Sequence, residues 1–295
     1  MRTIFQNPSL EEAFRKDGYV IVPFLESQEI EQLAEVYHKH TLEMDMNFHL
    51  SIWKRDVENR AKVHEKIQAF FLPKAQKIFQ DYKCIISSFA VKKAAQNSAW
   101  HIHQDDNFTD EHRFSSASIW CPLVDVNANN GAMQVLKHSH RIFTDVLRCP
   151  TIPKSFDIYK PHIQEKYLTT IPMKAGEAMI FDHKLVHASG ANMSGKLRLA
   201  AVSVYIPQEA PLQFFYKNPS DTSAPIERLE LVEDFYLRFP LGDKPEGEGV
   251  KFDGYFEEAL LNISYDDFVK LYQQYEGIQP VKARKWWQRL FARNH

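Results

Sequence analysis

The chain has 295 residues, 44% hydrophobic and 25% charged, with 36 Lys+Arg against 38 Asp+Glu; this is a globular composition, enough for one large domain or two small ones, and it excludes disordered, collagen-like and solenoid chains. A net charge of −2 gives no global attraction to nucleic acid or to an anionic membrane, so such binding would need a local patch. Cys84, Cys121 and Cys149 lack metal-ribbon or disulfide-framework spacing, the N-terminus lacks a signal-peptide core, and no stretch reaches the roughly 18 apolar residues of a membrane span, so a soluble cytoplasmic protein is expected.

In chain order, residues 9–16 and 27–45 read as helices with Ser9 and Ser27 as N-caps, and residues 19–22 between them as a strand. A longer helix is predicted over 54–82, bent or broken near Pro73. The texture then changes. Residues 85–91, 117–126, 132–136, 168–173, 178–181 and 197–206 are short β-branched or aromatic runs, separated by turns such as Asn129-Asn130-Gly131 and Lys174-Ala175-Gly176-Glu177. Helices followed by many short strands predict an α+β chain with an antiparallel sandwich or barrel at its centre. Beyond Gln208 come a Pro-containing loop, a predicted helix over 227–237, a Gly/Pro-rich stretch at 240–249 and a helix over 264–275.

The last segment has its own character. Ala283, Trp286, Trp287, Leu290 and Phe291 recur at helical spacing, while Lys282, Arg284, Lys285, Arg289 and Arg293 are all positive. Residues 282–295 therefore have three readings: a stripe docked on the parent domain, an in-plane helix on a membrane surface, or a partner-protein site.

Thirteen histidines raise the question of metal binding. The densest cluster is Trp100-His101-Ile102-His103-Gln104-Asp105-Asp106. On a strand, side chains two residues apart point to one face, so His103 and Asp105 can hold one ion together; His101 shares that face and is expected to line the pocket. The best third ligand is His187, beside a glycine where a strand would end. Two His and one carboxylate leave open positions on Fe(II), as an oxygenase requires, and the lack of nearby Cys disfavours thiolate-selecting metals. On strand 197–206, Arg198 shares a face with Ala200, Val202, Val204 and Ile206. An unpaired guanidinium there would be costly, so it calls for an anion, which a bound dicarboxylate would supply in bidentate geometry.

The order His103-Gln104-Asp105, Asn129-Asn130-Gly131, His138-Ser139-His140-Arg141, His187-Ala188-Ser189-Gly190-Ala191-Asn192 and Arg198, with the opening Asp17-Gly18-Tyr19-Val20-Ile21-Val22-Pro23-Phe24-Leu25, resembles the phytanoyl-CoA dioxygenase family of Fe(II)/2-oxoglutarate oxygenases. The resemblance covers roughly residues 10–207 and implies a double-stranded β-helix (jelly-roll) core, flanked by N-terminal helices, with iron at one end. It implies His103, Asp105 and His187 as iron ligands, Arg198 as the holder of the distal 2-oxoglutarate carboxylate, and Gln104, Ser189 and Trp120 as lining of the co-substrate pocket. The family's usual Pro-Gly-Ser-His turn is replaced by Leu136-Lys137-His138-Ser139-His140, and residues 208–295 match nothing transferable, so a domain over 1–207 with a C-terminal extension over 208–295 is expected.

A carboxylate at position 105, where related halogenases carry a small residue, implies a hydroxylase. The implied reaction uses Fe(II), 2-oxoglutarate and O2 to hydroxylate a C–H bond of a small-molecule or lipid-like substrate, releasing succinate and CO2. Residues 107–112 with His183 are expected at the substrate rim, with His183 on the surface; His138 and His140 are turn residues or substrate contacts. The alternatives are a non-catalytic jelly-roll protein binding metal or 2-oxoglutarate as a peripheral membrane or scaffold component, and a metal-dependent cupin of another reaction type. A helical zinc pair from His183 and His187 lacks the HExxH glutamate, and a serine hydrolase lacks GxSxG.

Overall fold

A computed structural model describes residues 2–40, 45–54, 56–145, 147–149, 152–221, 223–239, 244–256 and 263–277. The first helix, α1 (Pro8–Asp17), starts one residue before Ser9: Pro8 occupies the first turn, where its missing N–H is no loss, and the Asn7 side chain accepts from Ser9 N–H. Gly18, at φ 85°, ends it and turns the chain into β1 (Tyr19–Pro23). Helix α2 (Ser27–His40) has Ser27 as its first residue, and the Glu29 side chain accepts from Glu26 N–H in the manner of a capping box. Strand β2 (Phe48–Leu50) and helix α3 (Val57–Ile78) follow. Of the bend or break expected near Pro73, the break does not occur: α3 runs through the proline. The proline is exposed, while Phe71 and Ala75 beside it are buried in the core, so packing outweighs the backbone hydrogen bond that proline removes.

The strand-rich part comprises β3 (Tyr82–Lys92), β4 (Trp100–His103), β5 (Ala117–Pro122), β6 (Met133–Val135), helices α4 (Ser139–Ile142) and α5 (Lys160–Lys166), β7 (Thr169–Thr170), β8 (Glu177–Asp182), β9 (His187–Ser189) and β10 (Arg198–Pro207). These build an antiparallel six-stranded sheet, β1-β8-β5-β10-β3-β2, and a four-stranded sheet, β4-β9-β6-β7: a jelly-roll core with flanking helices. Strand alternation assigns each side chain a face. Leu199, Ala201 and Tyr205 of β10 pack with Phe14, Leu33 and Phe71 of the helices. Arg198, Val202 and Val204 line the internal cavity on the opposite face.

The predicted helix over 227–237 is instead β12 (Ile226–Leu231), after β11 (Leu212–Tyr216), followed by the short α6 (Phe235–Arg238). Buried Ile226 and Leu229 are three apart, a spacing that mimics a helix; a register shift at Arg228/Leu229 produces it within a strand. With β13 (Val250–Phe256) these strands form a third sheet, β11-β12-β13. The chain divides into two compact units, Met1–Leu261 and Asn262–His295, and the third sheet belongs to the first. In the second, α7 (Tyr265–Tyr275) is capped by Ser264, whose side chain accepts from Asp267 N–H. The basic segment 282–295 lies outside the described residues. No helix among the described residues is long and apolar enough to cross a membrane.

Candidate active site

The short β4 and β9 pair antiparallel with His103 directly opposite His187, so two histidines 84 positions apart in numbering face each other with ring centroids 4.1 Å apart. Asp105 follows β4 by two residues and completes the group: its Oδ1 lies 3.6 Å from His103 Nε2 and 3.7 Å from His187 Nε2. The three ligand atoms all lie within 4.8 Å of one another. Each ring is oriented from behind. His103 Nδ1 is 2.9 Å from His101 O and His187 Nδ1 is 2.9 Å from Leu185 O; a carbonyl only accepts, so the hydrogen sits on Nδ1 and the Nε2 lone pair points into the group.

Electrostatics favours the ligand forms. Burial, with His187 close by, pushes His103 down to about 3 despite the pull of Asp105. For Asp105, burial raises the carboxyl, but His187, His183, His103 and a hydrogen bond from Ser118 together hold it below its ordinary value. A neutral imidazole and an ionised carboxylate are what a divalent cation binds. Two nitrogens and one oxygen on one side, with no sulfur, suit Fe(II) with open positions.

Asp105 is the most strongly braced of the three. Its N–H donates to His183 O at 3.1 Å, its Oδ2 accepts from Ser118 Oγ at 3.2 Å, and its own carbonyl accepts from Arg148 Nε at 2.8 Å. Ser118 Oγ also lies 2.9 Å from His183 Nε2. His183, expected on the surface rim, is 0% exposed. It supports the carboxylate from beneath, and only the fold brings it there: Ser118 is 65 residues away in sequence. Within 107–112, Asn107 and Phe108 do line the cavity, whereas Glu111 is buried against Arg148 at 2.7 Å.

Arg198 is 2% exposed; among the described residues its guanidinium makes one long hydrogen bond, 3.4 Å from Nη1 to Ala90 O, and its Nε has no partner. The guanidinium lies 5.5 Å from the Trp120 ring centroid, and burial brings it down to about 9. Directly opposite on β3 stands Lys92, whose Nζ donates to Ser98 O, Ser189 O and Gly190 O at 2.7, 3.1 and 2.6 Å. Burial, with Arg198 adding repulsion, lowers Lys92 to about 7. Lys92 escapes a reading of the sequence because its partners are backbone carbonyls, two of them 97 and 98 residues away. Two adjacent buried cations, one with unfilled donors, fit a bound carboxylate.

The triad and Arg198 line one cavity of about 640 Å³, and Gln104, Ser189, Trp120 and His101 also line it. Gln104 has a structural task as well: its amide donates to Phe143 O and Lys184 O at 2.8 and 2.6 Å. Asp106 lines the cavity too; burial pushes its carboxyl up to about 7, with Lys154 and Arg148 opposing and Asp105 adding. His138 and His140 are placed elsewhere. They are buried within 2.7 Å of Lys16 O and 3.0 Å of Arg15 O, bracing the end of α1 rather than meeting a substrate.

Residues 14–200, more than half of the chain, match the family model described as phytanoyl-CoA dioxygenase (PhyH). A protein of Arabidopsis thaliana described as phytanoyl-CoA dioxygenase is 26% identical over 137 residues; the match spans 46% of this chain and 46% of that relative, less than half its length. Among solved structures, the chain is similar to HygX from Streptomyces hygroscopicus with nickel, 2-oxoglutarate and hygromycin B bound, at a TM-score of 0.53 and 12% identity over 69% of this chain and 88% of that one. It is also similar to the epimerase SnoN from nogalamycin biosynthesis in complex with Fe3+, alpha ketoglutarate and nogalamycin RO, at a TM-score of 0.50 and 20% identity over 86% and 96%. At such identities the likeness speaks for the fold.

Proposed function

Because the chain belongs to the phytanoyl-CoA dioxygenase family, we propose that it is an Fe(II)- and 2-oxoglutarate-dependent dioxygenase that hydroxylates a C–H bond of a small-molecule or lipid-like substrate. The observation that carries this reading is the pairing, in one cavity, of a two-histidine, one-carboxylate group with a buried arginine whose Nε lacks a partner among the described residues. In this reading His103, Asp105 and His187 hold the metal, and Arg198 holds the distal carboxylate of 2-oxoglutarate.

With Fe(II) and 2-oxoglutarate held there, the chemistry supplied is oxidative decarboxylation to succinate and CO2 coupled to oxidation of a substrate C–H bond by O2. The chain's own residues do the rest. The carbonyls of His101 and Leu185 hold the imidazoles in the ligand tautomer, and Ser118 and Arg148 hold Asp105. Trp120 flanks Arg198 in the cavity wall, so an anion arriving there meets a buried guanidinium beside an aromatic ring. Apolar side chains form much of the remaining cavity wall.

The test is succinate formation from 2-oxoglutarate by the full chain. It should require Fe(II) and fall at least about a hundredfold in His103→Ala and Asp105→Ala, and Arg198→Ala should raise the KM for 2-oxoglutarate by about tenfold or more. Normal turnover in either ligand variant would sink the proposal. Protein that binds 2-oxoglutarate but never consumes it with any candidate substrate would instead be a binding module. The proposal extends to the basic segment 282–295 as a peripheral contact with an anionic membrane or a partner protein, carried by its five positive charges and its Trp/Phe stripe.

A further inference from the structure

The part of the cavity beyond the triad and Arg198 has a distinctive chemistry. Its walls include Trp53, Ile86, Phe108, Val204, Phe214 and Tyr236, drawn from both ends of the first compact unit. Trp53 and Trp100 lie 5.3 Å apart by ring centroid, and Phe108 meets the Tyr236 ring edge-to-face at 4.9 Å. The Tyr236 hydroxyl turns away, donating to Gln213 O at 3.1 Å, so the residue offers the cavity its ring. An apolar body buried here gains by leaving water.

The charged groups on this wall are unequal. Lys154 Nζ already donates to Cys149 O and Ile152 O at 2.6 and 2.5 Å. Arg148 donates to Glu111 Oε2, Asp105 O and Asp145 O, and Lys160 pairs with Asp157 at 2.8 Å. The Asp106 carboxylate lines the same cavity and accepts no hydrogen bond among the described residues; Lys154 and Arg148 act on it only through space. Its backbone carbonyl, by contrast, lies 3.2 Å from His183 Nδ1, so the residue is anchored while its side chain stays open. An acceptor left bare in an apolar wall rewards a ligand that brings a donor and penalises one that does not.

We propose that the substrate presents its reacting carbon on an apolar body, aliphatic or aromatic, and donates a hydrogen bond from a hydroxyl or an amine to Asp106. The inference rests on the oxygenase reading for what happens to the substrate and on the cavity alone for how it binds.

Isothermal titration calorimetry of the metal-free full chain, without 2-oxoglutarate, tests it with two probe pairs. One pair is 1-octanol and 1-methoxyoctane; the other is octylammonium and octyltrimethylammonium. Each pair keeps the apolar body and, in the second, the charge, and differs in the donor. The donor probe of at least one pair should bind about tenfold tighter or more than its methylated partner, and the pair that shows the preference tells a neutral donor from a charged one. Asp106→Ala should bring that ratio to about one while the neutral methylated probe, 1-methoxyoctane, keeps its affinity. Equal affinities within both pairs in the unmodified chain, or a preference that survives Asp106→Ala, would overturn the proposal; should the variant not fold, the first comparison decides alone. Absence of succinate formation would fail the oxygenase reading without touching these ratios, and flat ratios would fail this inference without touching succinate formation.

Discussion

His103 sits at the end of a four-residue strand, yet it is the residue whose protonation the fold alters most tellingly. Free histidine takes up a proton near 6.5, whereas burial and His187 hold the folded His103 neutral down to about 3. Between those values the unfolded chain binds the extra proton, so the metal-free protein loses stability as pH falls across that window and has its full stability above it. Melting temperatures of metal-free protein should therefore drop from pH 6.5 downward, and less steeply in His103→Ala; parallel curves would contradict this. The shared face of His103 and Asp105 and the inward face of Arg198 were readable because an extended backbone's period of two places side chains on a face whatever the tertiary structure. No such rule reaches His183 or Lys92, whose meaning lies in partners on other strands: Ser118 for the first, Gly190 O for the second.

At the level of elements, the segment after β4 shows how a loop is made rigid enough to carry a ligand. Asn107 and Arg148 exchange hydrogen bonds in both directions, Asn107 N–H to Arg148 O at 3.2 Å and Arg148 N–H to Asn107 Oδ1 at 2.7 Å. The Arg148–Glu111 pair, with side chains 0% and 1% exposed, locks the loop from the other side. Glu111→Gln would leave a buried guanidinium without its counter-charge, a loss of about 3–5 kcal/mol. Chemical denaturation should show that loss, and metal affinity should weaken with it because Arg148 also holds the Asp105 carbonyl; a variant as stable as the parent would rule the clamp out. The same scale holds the two misreadings of secondary structure. Pro73 suggested a bend or a break in α3, and burial of Phe71 and Ala75 keeps the helix unbroken despite the local penalty. A helix was expected over 227–237, but β12 occupies its first half, where a register shift gives buried Ile226 and Leu229 a spacing of three within a strand.

Across the whole molecule, the cavity is assembled from segments that sequence order keeps apart. Phe48 and Trp53 come from before α3, the triad from β4 and β9, and Phe214 and Tyr236 from the third sheet and α6. The 208–261 region thus belongs to the compact unit that holds the site. The basic tail is a separate matter of charge. Sedimentation with anionic vesicles should retain the full chain more than one lacking residues 282–295, and the excess should fade as salt screens the charges. Equal retention would remove the membrane contact.

The sequence by itself determined the jelly-roll class, the three residues that converge on one point and the inward face of Arg198, because strand alternation and motif order are properties of the chain read along its length. Only the tertiary structure decided what surrounds them. The support of Asp105 by His183 and Arg148, the cation pair of Lys92 and Arg198, and the bare Asp106 carboxylate on an aromatic wall all depend on burial and on hydrogen bonds between distant segments, which spacing does not encode.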